Sequence, residues 1–580
     1  MSRPCRVLLL IPALLSAACA TTTAPQGDRA GQVRGARAGS PPASARTPAI
    51  EVAVPAIARP GGETAAWWFR NGAAQAAARG AMGGRAKNVI LFVGDGMSLT
   101  TVTAARIFEG QRKGGPGEDH RLAWEDFPST ALSKTYNTNS QTPDSAGTIT
   151  AMTTGAKTRL GVLGIGQGAA RGDCKAALGN TLLTLWELAA SSGLATGVVT
   201  TTRVTHATPA GTFSHAADRG WENDTDLPDD ARVAGCVDIA RQLVETPFSR
   251  GFDVLMGGGR RHFMPVQQRD PEYDDKVGER LDQRDLVAEW LRRHAGGVYV
   301  WNRQQLAAAP AGRPLLGLFE PDHMQFEHDR PRDPAGEPSL AEMTRAAIAR
   351  LSLNPNGYVL LVEGGRIDHA HHYGNAYRAL TDTVALSDAV RVASQGTSAA
   401  DTLILVTGDH SHTLTFAGYP VRGNPILGKV RGASGEDASS ALVSDAVGLP
   451  YTTLGYANGP GHTSESSSQA AGSKRYLHAG KEYLSSNTRP DLGQVDTEDP
   501  DYLQEAAVPL SSETHGGEDV GIWARGPGSE AVRGSLEQNA IFHLMLQATP
   551  RLRAALCAKG GCDANGVPVT LPDPADFRSD

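Results

Sequence analysis

A chain of 580 residues with 55 Lys and Arg against 62 Asp and Glu, a formal net charge of −7, is long enough to bury a large core and to hold more than one domain. No basic run marks a nucleic-acid partner, and no long acidic block marks a solvating tail.

The first predicted element is an export signal over 1–19. Arg3 and Arg6 precede an apolar stretch from Val7 to Ala18, too short to span a bilayer and suited to a secretory signal. Two processing routes are open. Leu15-Ser16-Ala17-Ala18-Cys19 resembles a bacterial lipobox with Cys19 lipidated, although its aliphatic residue stands one place too far from the cysteine. Ala18-Cys19-Ala20 also offers a small-x-small cleavage site that frees the protein. Either route exports the chain, to a periplasm, to a bacterial outer membrane or to the outside. Of the six cysteines, four lie beyond this segment: Cys174, Cys236, Cys557 and Cys562. An even number in an oxidising compartment favours disulfides, with Cys557 and Cys562 closing a short local loop.

Residues 20–62 are rich in Ala, Pro, Gly, Arg and Thr without an apolar period, the composition of a flexible tether. Thr64 to Met82, Ala-rich with Trp67, Trp68 and Phe69, predicts a helix that docks on another surface. Asn88 to Val93 predicts a buried strand ending in Gly94-Asp95-Gly96. In open α/β sheets that carboxyl edge is where ligands bind. Thr142-Pro143-Asp144-Ser145 predicts a helix start, with Thr142 as N-cap and Pro143 at the first position. Ser145 then lies in the first turn, where free N–H groups and the helix dipole stabilise a phosphate dianion.

Leu182 to Ser192 predicts a helix. Strands follow at Ala195–Thr200 and Asp253–Met256, and residues 260–340 read as polar and loop-rich. Leu340 to Leu353 predicts a helix, and Tyr358 to Val362 a strand buried on both faces. Glu363 stands at that strand's end. Asp368 and His372 follow at helical i, i+4 spacing, which puts both on one face. A carboxylate and an imidazole so placed can share a divalent metal. Further on come a helix at Ala376–Ala393, a strand at Thr402–Val406 ending in Gly408-Asp409-His410, and an irregular insertion over 420–507. Glu513-Thr514-His515 precedes a strand at Val520–Ala524. The chain after about Val569 reads as frayed. Singly, each polar residue is a turn or a cap. Jointly, acids and histidines fall at one strand end after another, in an α/β fold with a mostly parallel central sheet flanked by helices.

Six blocks carry a resemblance to a known family: NVILFVGDGM at 88–97, TPDSA at 142–146, TTRVTHATPAGTFSH at 201–215, VEGGRIDHAHH at 362–372, TGDHSH at 407–412 and ETHGGEDV at 513–520. In this order they resemble the alkaline phosphatase family, more closely its animal-type branch. The resemblance implies one catalytic domain over 63–565, with 420–507 as a crown-like insertion and 566–580 as a C-terminal tail. It implies hydrolysis of phosphate monoesters through a phosphoserine at two zinc ions and one magnesium. By position, Asp368, His372 and His515 hold the first zinc, and Asp409 and His410 the second. Asp95 bridges the second zinc and magnesium, and Thr208 and Glu363 complete the magnesium site. Ser145 is the nucleophile and a metal contact, and Arg219 grips the substrate phosphate. The animal-type branch adds calcium, here at Glu272, Phe319 through its carbonyl, Glu320 and Glu337, where the family commonly has Asp at the last position. It also implies the pairs Cys174–Cys236 and Cys557–Cys562, and a homodimer embraced near the Trp67 helix.

Donor chemistry agrees with these assignments, since histidines suit zinc and Asp, Glu and Thr oxygens suit the harder magnesium. Two other readings compete. A phosphodiesterase or sulfatase shares the fold type, but Ser145-Ala146-Gly147-Thr148 lacks the C/S-x-P-x-R setting of sulfatases. An inactive phosphate-binding protein would not need Ser145, Arg219 and every metal position together.

Overall fold

The computed structural model describes residues 49–249, 251–432, 441–478, 480–483 and 489–579. The export segment, Cys19 and most of the tether lie outside the described residues.

The central sheet is built from β1 (Asn88–Gly94), β2 (Ser129–Lys134), β3 (Ala195–Arg203), β4 (Val254–Gly258), β5 (Val298–Val300), β6 (Leu315–Leu318), β7 (Tyr358–Gly364) and β8 (Thr402–Gly408). Five short strands follow: β9 (Ser411–His412), β10 (Leu414–Phe416), β11 (Leu454–Gly459), β12 (Ala506–Pro509) and β13 (His515–Gly516). β14 (Val520–Arg525) and β15 (Gly534–Glu537) return to the central sheet. Its order is β15-β2-β14-β8-β1-β7-β3-β4-β6-β5. β14 runs antiparallel to both neighbours, and every other pairing in this sheet is parallel.

The middle strands are apolar on both faces because both are covered. Val89, Leu91 and Val93 of β1 join one core cluster, and Ile90 and Phe92 join the other. β7 and β8 alternate in the same way, with Leu361 and Leu405 on one side and Leu360 and Ile404 on the other.

Register places the functional edge. Val93 of β1 stands level with Glu363 of β7 and Thr407 of β8, and Gly94 stands level with Gly364 and Gly408. Asp95, Glu363 and Asp409 therefore emerge within two residues of one another along the sheet. Because β14 is antiparallel, its start lies at the carboxyl ends of its parallel neighbours, and that brings His515 to the same edge.

Several sequence expectations need correction. The tail does not fray: Val567 and Val569 pack with Ala73, Ala77, Ile50 and Val52, Phe577 is buried, and the Ser579 N–H donates to the Pro247 carbonyl at 2.9 Å. The described end of the tether is docked too, with Ile50 N–H on the Ala77 carbonyl at 3.2 Å and Trp67 Nε1 on the Pro55 carbonyl at 2.9 Å. Residues 260–340 hold β5, β6 and the helices Leu286–Arg293 and Arg303–Ala308. Strands of three and four residues carry too little period to be read from sequence. The helix expected from Thr64 spans Ala65–Ala78, with Thr64 as its N-cap. It docks on the Ala540–Ala548 helix of its own chain, where Phe69 meets Phe542 at 5.7 Å and Asn539 Nδ2 donates to the Trp68 carbonyl at 2.7 Å.

Cys174–Cys236 and Cys557–Cys562 are disulfide-bonded. Within 420–507 the described residues form β11, the start of β12 and otherwise turns and isolated bridges. No helix among the described residues is long and apolar enough to cross a membrane.

Candidate active site and metal centre

The helix expected at 142 begins at Ser145 and runs to Thr154, and its N-cap is Asp144 rather than Thr142. Asp144 is extended, and its Oδ1 accepts the N–H groups of Gly147 at 3.1 Å and Gly161 at 3.0 Å. A carboxylate caps as well as a hydroxyl does, and here it has a second use. Asp144 Oδ2 takes Arg219 Nη1 at 3.2 Å. The cap of the serine helix thus also holds the arginine. Arg219 Nη2 lies 3.0 Å from His206 Nε2.

Ser145 is buried at the first helical position. Its Oγ donates to Asp95 Oδ1 at 3.3 Å and lies 3.1 Å from His410 Nε2. Around it, three groups of side chains have ligand atoms within 4.8 Å of one another: Asp368, His372, His412 and His515; Asp95, Asp409 and His410; and Asp95, His206 and Glu363. Asp95 belongs to two of them.

The first group is assembled from three places. Asp368 and His372 face each other across one helical turn of Arg366–His372, with His372 Nε2 3.4 Å from Asp368 Oδ2. β9 pairs antiparallel with β13, aligning His412 with His515. His515 Nε2 comes to 3.2 Å from His372 Nε2 and 3.4 Å from Asp368 Oδ1. In the second group, His410 Nε2 lies 3.3 Å from Asp409 Oδ2 and 3.4 Å from Asp95 Oδ1.

Electrostatics show that this arrangement suits cations. Burial pushes Asp95 well above the usual carboxylate range, and Asp409, Asp368 and Glu363 push it further. Burial also raises Asp409 and takes Glu363 up to about 7. Burial holds the His410 and His206 imidazoles well below their ordinary value, hence neutral and able to ligate. Asp95 Oδ2, Glu363 Oε1, Thr208 Oγ1 and His206 Nδ1 are buried with no hydrogen-bond partner. Buried carboxylates facing each other beside orphaned oxygens stay charged only with a cation among them. The first group is rich in imidazole, a donor that suits zinc, while the second and third each offer two carboxylates and one imidazole.

All the zinc and magnesium residues expected from sequence therefore meet at one edge, with Arg219 beside them. Sequence reasoning missed His412, His206 and Asp144. Each lay inside a motif already singled out, and only three-dimensional packing gives it a part.

A fourth group lies at the end of β6. Glu272, Glu320 and Asp333 bring ligand oxygens within 4.8 Å of one another. Phe319 and Glu337 are buried there, and Glu337 accepts Gln325 N–H on both oxygens at 3.1 Å. Burial takes Glu320 up to about 8, with Asp333 beside it adding to the rise. Asp333 was not anticipated, and both of its carboxylate oxygens are buried without a hydrogen-bond partner.

The approach to the short helix Ala207–Ala210, which carries Thr208 with His206 as its N-cap, is pinned by a buried ion pair. Glu222 accepts Arg203 Nε at 2.8 Å and Thr205 Oγ1 at 2.6 Å. Burial opposes the charge on Glu222, but Arg203 outweighs it and holds the carboxyl at about 2, against an ordinary 4.5. A shift of that size corresponds to roughly 3 kcal/mol. The folded pKa is the lower one, so this stability is present above about pH 4.5 and lost as pH falls toward 2. Glu222→Gln is expected to lower stability at pH 7, with the gap from wild type closing between pH 4.5 and 2. Denaturant melts across that range check it, and a gap independent of pH would contradict it.

Comparison with known proteins agrees with this geometry. The family profile described as "Alkaline phosphatase" matches residues 86–550. An alkaline phosphatase of Gadus morhua is 44% identical over 471 residues, covering 80% of this chain and 92% of that protein. The tissue-nonspecific isozyme of alkaline phosphatase from Gallus gallus is 44% identical over 498 residues, covering 84% and 89%. Among solved structures, that of Thermus thermophilus alkaline phosphatase superposes with a TM-score of 0.56 at 27% identity, covering 81% of this chain and 92% of that one. With a sheet edge that gathers Asp95, Ser145, Glu363, Asp368, Asp409 and His515, and with relatives of this similarity over most of its length, the chain belongs to the alkaline phosphatase family.

Proposed function

We propose that the chain hydrolyses phosphate monoesters to an alcohol and inorganic phosphate through a phosphoserine on Ser145. The observation that carries this is the place of Ser145 Oγ, at a helix N-terminus and within hydrogen-bonding distance of both Asp95 and His410. Asp368, His372 and His515 would hold one zinc, Asp409, His410 and Asp95 a second, and Asp95, Thr208 and Glu363 a magnesium. When bound, these ions stabilise charge on the attacking and leaving oxygens of an in-line displacement.

The chain's own residues do the rest. Ser145 Oγ attacks phosphorus with its proton directed at Asp95 Oδ1, the ester P–O bond breaks, and the leaving oxygen takes a proton from water and departs as the alcohol. Free N–H groups of the Ser145–Thr154 helix and its dipole favour the dianionic phosphoryl group. Arg219 offers a planar fork that matches two phosphoryl oxygens, and Asp144 and His206 aim it. Water then cleaves the phosphoserine and releases phosphate.

Hydrolysis of an aryl phosphate by wild type and by Arg219→Ala tests this reading. Wild type is expected to cleave the monoester in preference to the matching diester and sulfate ester. Arg219→Ala should keep its metal content while KM and inhibition by inorganic phosphate weaken by roughly 10- to 150-fold, the loss of a charge-assisted contact worth about 1.5–3 kcal/mol. Faster diester cleavage would overturn the substrate class. Unchanged phosphate inhibition would remove Arg219 from the site.

The fourth group is proposed to bind calcium through Glu272, Glu320, Glu337 and the Phe319 carbonyl, with Asp333 as a further ligand. Oxygen-only donors suit this hard cation. Glu320→Gln is expected to lower the melting temperature and calcium content while leaving kcat within about twofold of wild type. Loss of activity in a variant of unchanged stability would contradict the assignment. Export is proposed on the signal-like N-terminus and the two disulfides, and a homodimer and a lipid anchor at Cys19 on the family resemblance and the lipobox-like sequence.

A further inference from the structure

Glu513 stands two residues before His515 and is 1% exposed. It touches the first metal group through three different atoms. Its backbone carbonyl accepts from His372 Nδ1 at 2.6 Å, and its N–H donates to the His372 carbonyl at 3.0 Å. Its carboxylate Oε2 takes His412 Nδ1 in a short hydrogen bond. Oε1 accepts both the N–H and the Oγ1–H of Thr413, each at 2.6 Å. His412 Nε2 in turn meets Asp368 Oδ1 at 2.6 Å.

These contacts fix hydrogen positions. With Nδ1–H of His372 on a carbonyl, its Nε2 keeps a lone pair facing the group. Both nitrogens of His412 lie against carboxylate oxygens, so both donate. A nitrogen that donates cannot ligate, and His412 therefore orients Asp368 rather than binding metal. We propose that Glu513 is the positioning residue of the first metal group, holding His372 in its ligating tautomer and, through His412, holding the Asp368 carboxylate in place. The role rests on the zinc reading above. It is an outer-layer contact of the kind that tunes ligand orientation and affinity at metal sites.

Glu513→Gln keeps the shape and removes the function. An amide cannot accept from both His412 and the two Thr413 donors, because its NH2 must face one of them. The backbone contacts to His372 persist, so only the His412–Asp368 arm is broken. Zinc affinity of the full chain is read by chelator competition, independently of activity. Wild type should bind zinc, and Glu513→Gln should bind one zinc roughly 10- to 100-fold more weakly. His412→Phe should weaken the same zinc, and the double variant should be no worse than the poorer single variant, since both cut one arm. If Glu513→Gln does not fold, Glu513→Asp, which keeps the charge and draws it back by one methylene, is expected to show the same loss at smaller amplitude. Equal zinc affinity in wild type and variant, or additive losses in the double variant, would overturn the assignment. A wild type that binds no zinc would instead overturn the zinc reading itself.

Discussion

Ser145→Ala is expected to lower kcat by roughly 10³- to 10⁶-fold, the range seen when a nucleophile is removed from an otherwise intact site. The substitution removes one oxygen from a buried first turn. Asp409 and His410 keep their places, because they are anchored elsewhere, His410 with Nδ1 3.3 Å from the Ser411 carbonyl. Asp409 Oδ1 accepts Gly96 N–H at 2.9 Å, and its Oδ2 accepts Thr148 Oγ1 at 3.1 Å. Metal content should therefore stay the same while turnover collapses. A second readout separates a nucleophile from a merely close hydroxyl. Wild type incubated with labelled phosphate at mildly acidic pH and quenched in acid should carry label on the peptide containing Pro143-Asp144-Ser145. The Ser145→Ala protein should carry none. Label on another residue, or full activity in the variant, would sink the phosphoserine route.

Stripping the protein with a chelator is expected to abolish phosphatase activity, by at least about 10³-fold. Metal-ion stabilisation of transition-state charge is worth several kcal/mol, and each 1.4 kcal/mol is a factor of ten. Stability should fall as well. An ion present at a thousand times its Kd contributes about 4 kcal/mol to the folded state, and here its removal returns Asp95, Asp409 and Glu363 to mutual repulsion in a buried site. Zinc with magnesium should restore both activity and melting temperature, and magnesium alone should not restore activity, because the first group is dominated by imidazoles. Full activity after exhaustive chelation would contradict a metal-dependent mechanism.

How much of this was legible in the sequence differs from element to element. β1, β7 and β8 were legible because runs such as Val89–Val93 are apolar on both faces, and each ends at a glycine beside an acid. β5 and β6 were not, being three and four residues long in a polar surround. The helix at Ser145 was legible but its cap was not. Thr142 and Asp144 both cap well, and Arg219, far along the chain, settles the choice. The same holds for His412, whose side chain is recruited by β13, and for Asp333, whose acidic neighbours come from other loops. The motifs supplied the residues of the groups at the carboxyl edge of the sheet. The residues that position them lie in or beside the same motifs, but the contacts that give them that part are made across long stretches of chain.

The place of β14 has a consequence for the order in which the molecule can be completed. β2, made of residues 129–134, has only β14 and β15 as neighbours in the sheet, and both come from the last part of the chain. Until residues 520–537 arrive, β2 has no partner and β8 has an open edge. His515, delivered just ahead of β14, is missing from the first metal group for the same interval. A chain emerging from its N-terminus thus carries most of the side chains of the metal-capable groups for a long stretch of synthesis without His515, which completes the first of them. Long-range pairing of this kind is slow to form and leaves edges open to association. Completion of the first group and closure of the sheet then come late and close together, and a chain cut short before His515 would be left without either.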